Sequence, residues 1–177
     1  LLSFAIFILF PNNIRDQQSQ EISSSEIAFT VYSQNTFYGL NLDNSLGEIR
    51  FRIETNHNQR VLFIDQNIND VYYTVAATND HGAFIVYYPF LETKNPIRMS
   101  PTQFEKNFGQ LLFERNSVPL RKDINLSMNS LIINNSNQLL ADKNQNAYII
   151  ETINGTSVIN PNQNPYEILT AVNRYSE

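Results

Sequence analysis

Ser24 to Asp43, SSEIAFTVYSQNTFYGLNLD, decides how the rest of the chain reads. Ile27 to Tyr32 and Thr36 to Leu42 are rich in β-branched and aromatic residues, the side chains that fit a pleated, half-buried surface. Ser33-Gln34-Asn35 breaks the two runs as a short polar turn, so the stretch is a β-hairpin. An antiparallel pair returns to where it began, which brings Ser24 and Asp43 to the same open end. A nucleophile-type hydroxyl and a carboxylate meeting across strand ends make a candidate site. An ordinary hairpin with a polar mouth is the plain alternative.

Outside the hairpin, composition narrows the classes. The chain has 177 residues, enough for one domain with a real core. Only 16% of residues are charged, and Asn supplies much of the missing polarity. A net charge of −5 offers no basic surface to nucleic acid, and that partner class is set aside. With no cysteine there is no disulfide, no thiolate metal site and no thiol nucleophile. His57 and His81 stand alone in polar turns, so no metal is expected, nor any cofactor. Asp65, Asn67, Asn69 and Asp70 lack the glycine and terminal glutamate of a calcium loop.

Leu1 to Phe10, LLSFAIFILF, is apolar throughout and is closed by Pro11-Asn12-Asn13. It is too short to span a bilayer, which takes about 20 residues. It fits either the apolar core of a secretory signal or a buried strand or helix. Together with the sequon triplets at Asn125, Asn134 and Asn154, it points to a secreted or extracytoplasmic protein. Ile14 to Ser25 is a polar linker. The expected organisation is a signal-like run plus linker over 1–23 and a single domain over 24–177.

The remaining elements follow in order. Strands are expected at Ile49–Glu54, Arg60–Asp65, Val71–Ala77 and Ala83–Tyr88, the last two joined by Thr78-Asn79-Asp80-His81-Gly82. Ser100-Pro101-Thr102-Gln103 carries a helix start: an N-cap serine, a proline at the first position and a capping-box glutamine. Phe104, Phe108, Leu111 and Leu112 give that helix one apolar face, and it is expected to end before Pro119. Further strands are expected at Ser130–Asn134, Gln138–Ala141, Ala147–Ile153 and Glu167–Val172. Many hairpin-spaced strands around one helix predict an α+β domain with antiparallel sheets.

These stretches resemble the choloylglycine hydrolase, acid ceramidase-like and penicillin acyltransferase-like group of linear amide (C–N) hydrolases, which are N-terminal nucleophile enzymes. Tyr38-Gly39-Leu40-Asn41-Leu42-Asp43 is similar to the family's aromatic-Gly-Arg-Asn-apolar-Asp signature, and Ser24-Ser25 stands where Cys-Thr would. Asn79-Asp80-His81-Gly82 resembles its Asn-x-x-Gly loop. Leu140-Ala141-Asp142 to Glu151 resembles its Ala-Asp hairpin, and Leu169 to Tyr175 a later Thr-Asn element. The resemblance implies a four-layer αββα sandwich, here incomplete at its C-terminal end.

What it implies chemically is attack by the first residue on an N-acyl amide, with that residue's own α-amino group as base. Ser24 would be the nucleophile, provided the chain is cut between Ser23 and Ser24. Asp43 would orient the amine, and Asn79 and Asn173 would hold the oxyanion. Leu40, Asn41, His81 and Tyr87 would belong to the substrate pocket. Two departures fall at that site: serine replaces the thiol, and Leu40 replaces the arginine. The expectation is therefore an amide-hydrolase relative with a degenerate or serine-based nucleophile. The alternative is a non-catalytic exported module of the same fold that binds acyl or lipid-like ligands. An open sheet edge would make a homo-oligomer a further partner class.

Overall fold

A computed structural model of the chain describes residues 6–9, 27–32, 36–42, 47–56, 58–89, 98–114, 136–153, 156–161 and 168–172. Two sheets and one helix make an α+β architecture. The smaller sheet has four strands in the order β1-β3-β2-β11: β1 (Ile6–Leu9), β2 (Ile27–Tyr32), β3 (Thr36–Asn41) and β11 (Ile168–Val172). The larger sheet has seven, running β10-β9-β8-β7-β6-β5-β4. Its members are β4 (Ile49–Asn56), β5 (Gln59–Ile68), β6 (Val71–Asn79), β7 (Phe84–Pro89), β8 (Ser136–Ala141), β9 (Ala147–Ile153) and β10 (Thr156–Pro161). Every pairing is antiparallel except β1 with β3.

The β2–β3 hairpin forms as its sequence dictates, with Ile27 opposite Asn41 and Tyr32 opposite Thr36. The apolar run contributes a strand at Ile6–Leu9, which lies parallel to β3. One strand was not expected. β10 is a short run closed in by turn signals on both sides, and its pairing with β9 forms it. The strand expected at Ser130–Asn134 falls outside the described residues, as do the expected helical positions 115–118.

The helix starts as its caps require. The Ser100 hydroxyl accepts from the Gln103 N–H at 3.3 Å, while the Gln103 side chain accepts from the Ser100 N–H at 3.0 Å. Pro101 takes the first turn, where its missing donor has no partner to lose. Helix α1 (Pro101–Gly109) then widens into a single π-helical turn, Gln110–Glu114.

Two cores result, one on each face of the larger sheet. Between helix and sheet lie Phe63, Ile85, Tyr87, Phe104, Phe108 and Leu112, all buried. Between the sheets lie Ala28, Tyr38, Leu40, Phe84, Val86 and Leu139. Successive side chains of a strand point to opposite faces, so the apolar run Phe84-Ile85-Val86-Tyr87 feeds both cores alternately. Each large side chain buried in this way contributes about 1.5–3 kcal/mol. The order of layers is helix, larger sheet, smaller sheet. Of the four layers that the family resemblance implies, the helical cover over the smaller sheet is not among the described residues, where no helix is long and apolar enough to cross a membrane.

Candidate functional site

Two hairpin turns at one end of the larger sheet are built by the same device, a short polar side chain that turns back on its own loop. In the β6–β7 turn the Asn79 side-chain oxygen accepts from the N–H of His81 at 3.1 Å and of Ala83 at 2.8 Å. Gly82 sits at φ +94°, a conformation glycine adopts freely. In the β8–β9 turn the Asp142 carboxylate accepts from the N–H of Asn144 at 2.8 Å and of Asn146 at 3.1 Å, and from the Asn146 side-chain amide at 2.9 Å. Asx side chains close turns in this way.

The smaller sheet reaches down onto both turns through two phenols. Tyr38 donates to the Gly82 carbonyl at 2.6 Å and stacks on Phe84 with ring centres 4.9 Å apart. Tyr32 donates to the Asn146 carbonyl at 3.2 Å. Burial pushes both phenols well above their ordinary pKa, with the negative charge of Asp142 adding to the shift. Both therefore stay protonated and act as donors.

Asn79 is the expected site residue whose surroundings are most informative. It is buried, and its amide nitrogen donates to the Leu112 carbonyl at 3.0 Å, in the π turn of the helix layer. The side chain thus ties helix to sheet. Strand β2, which Ser24 precedes in sequence, belongs to the smaller sheet on the other side. Ser24, Asp43 and Asn173 lie outside the described residues.

The four pocket candidates do not come together. Leu40 is buried between the sheets, and Tyr87 is buried under the helix on the opposite face of the larger sheet. Asn41 is half-buried and pairs with Ile27 and Leu9. His81 lies at the turn, partly exposed, with its ring nitrogen 3.7 Å from Asp80. Alternation along β7 explains the separation of the two apolar candidates: Phe84 faces one core and Tyr87 the other.

Beside the Asn79 turn lies an apolar groove of about 260 Å³ lined by Ile53, Val61, Leu62, Thr78 and Asn79, with Arg60 and Asp80 at its rim. Ile53, Leu62 and Thr78 stand next to one another across β4, β5 and β6. Among the described residues no group of three or more His, Cys, Asp or Glu is placed to hold a metal ion.

One polar cluster escapes sequence reading. Asp65, fully buried at a bulge in β5, accepts from Arg50 at 2.7 and 3.2 Å, from Arg52 at 3.3 Å and from the Thr74 hydroxyl at 2.6 Å. Arg52 also pairs with Glu54 and with Glu105 of α1, and its guanidinium lies over the Phe63 ring. Arg50 lies over Tyr72. The cluster fastens the edge strand β4 to the sheet and to the helix. Only the alternation of charge in Ile49–Glu54 hints at it.

No protein-family model and no curated protein matches the sequence. Among solved structures, penicillin V acylase from Agrobacterium tumefaciens matches with 15% identity over 82% of this chain and 43% of that one, at a TM-score of 0.40. An arginine-to-leucine variant of conjugated bile acid hydrolase from Clostridium perfringens matches with 12% identity over 78% of this chain and 43% of that one, at a TM-score of 0.37. The chain spans less than half the length of either structure.

Proposed function

We propose that this chain is a catalytically silent relative of the linear amide hydrolases that binds a small apolar acyl ligand without turning it over. The observation that carries this reading is the commitment of Asn79. An oxyanion donor must be aimed at the place where charge develops. The Asn79 side chain is instead buried, with its nitrogen on Leu112 and its oxygen on His81 and Ala83. The absence of any cysteine supports the same reading, because a serine hydroxyl is far the weaker nucleophile at neutral pH.

The ligand class follows from the groove beside that turn. Its lining is almost wholly apolar, and Arg60, largely exposed, stands at the rim within 3.5 Å of Asp80. An aliphatic acyl chain would lie against Ile53 and Leu62, leaving its polar head at the rim. Calorimetric titration with medium-chain N-acyl amides tests this. Saturable binding is expected in the wild-type protein and its loss in Leu62→Lys, which places an ammonium in the groove. No heat of binding, together with a melting temperature unmoved at saturating acyl amide or fatty acid, would overturn the binding reading.

A further inference from the structure

We propose that the open edge of the larger sheet, strand β4, is a self-association surface that pairs antiparallel with β4 of a second copy of this chain. Among the described residues β4 pairs with β5 alone and ends the sheet. It is eight residues long and leaves one row of backbone donors and acceptors open along that edge. Phe51 and Ile53, on the strand face they share with Ile64 and Leu62 of β5, are 52% and 70% exposed, which is unusual for adjacent large apolar positions on one strand face. Its other face carries Arg50, Arg52 and Glu54.

Charge selects the partner and the register. A two-fold axis normal to the sheet keeps each face on its own side, so a residue meets one of the same parity. Centred on Ile53, the pairing sets Ile53 against Ile53 and Phe51 against Thr55. Arg52 then faces Glu54 of the second copy, and Glu54 faces its Arg52. Each Arg52 already pairs with its own Glu54. The four charges therefore alternate in sign around a square whose cross-strand sides are about 5 Å. Registers centred on Arg50, Arg52 or Glu54 set like charges directly opposite, and one centred on Phe51 sets Arg50 against Arg52. Of the registers centred on residues 50 to 54, only the Ile53 register is free of repulsion. A strand that complements itself this way fits a second copy of its own chain.

Sedimentation equilibrium across a concentration series tests the pairing. The wild-type chain is expected to rise from 20.4 kDa toward twice that mass. Glu54→Lys turns two attractive cross-strand pairs into repulsive ones and should weaken association at least about tenfold, as should Ile53→Lys. Ile53 is exposed, so Ile53→Lys should melt close to the wild type at low concentration. Glu54 is half-buried and pairs with its own Arg52, so Glu54→Lys is compared at a temperature where its monomer is still folded. Hydrogen exchange on the wild type gives a second readout that needs no variant: protection should grow with concentration within Ile49–Asn56. A chain that stays at 20.4 kDa throughout overturns the proposal, whether the edge is then covered by another protein or by nothing. So does a dimer that both variants leave intact, or concentration-dependent protection confined to other strands.

Discussion

Replacing Asp65 by Asn tests whether the buried cluster holds the edge strand in place. The carboxylate is wholly buried and accepts three charge-assisted bonds, two from Arg50 and one from Arg52, besides the Thr74 hydroxyl. Asn keeps the volume but removes the charge and turns one oxygen into a donor facing two guanidinium groups. Breaking a fully buried ion pair from one side costs about 3–5 kcal/mol. Here Arg50 and Arg52 remain 41% and 21% exposed, so solvent screening reduces the loss. A destabilisation of about 2–3 kcal/mol is expected on those grounds. With an m-value of about 2 kcal/mol/M in urea, the unfolding midpoint should fall by about 1–1.5 M. Hydrogen exchange should show the gain in opening concentrated in β4. A midpoint shift below about 0.3 M would refute the reasoning, because the cluster would then be held no better than exposed pairs.

Three further outcomes follow from the geometry. Asn79→Ala removes two acceptor bonds and one donor bond from a buried turn and should destabilise the chain by about 2–4 kcal/mol in urea unfolding. Gly39→Ala should cost about 1–2 kcal/mol, since a methyl there runs into the ring of Phe29, which lies over Gly39 from the facing strand; a neutral effect in thermal melting would show that the ring has another seat. Burial holds Tyr32, Tyr38 and Tyr87 protonated in the fold above the pH at which they ionise in the unfolded chain. The unfolded state then binds fewer protons, so stability is full below about pH 10 and falls above it by up to about 1.4 kcal/mol per pH unit for each such tyrosine. Tyr38→Phe should flatten that fall, as read by urea midpoints measured from pH 9 to 11.

How much was legible depended on how local the signal was. The β2–β3 hairpin and the Ser100 capping box are written in adjacent residues, and both form as expected. The Asn79 turn was legible as a turn. The direction of its amide was not, because that is set by Leu112, more than thirty positions away. Grouping Leu40 with Tyr87 failed because a sheet covered on both sides buries apolar residues on both faces, and sequence alternation does not say which core each joins. Asp65 was legible as the last residue of a strand and not as a calcium ligand, but its ion pairs were not. Its partners Arg50 and Arg52 come from the preceding strand, and only the β4–β5 register brings them to it. The hold of Tyr32 and Tyr38 on the two turns belongs to the packing of one sheet on the other and leaves no trace in spacing.

The central claim, binding without turnover, is tested most directly by following amine release from a medium-chain N-acyl amide by mass spectrometry, with the wild-type protein and Ser24→Ala side by side. Over a long incubation at protein concentrations matching the substrate, the account predicts no release above buffer from either protein. Release by the wild type that Ser24→Ala abolishes would contradict it and establish a serine-dependent amidase.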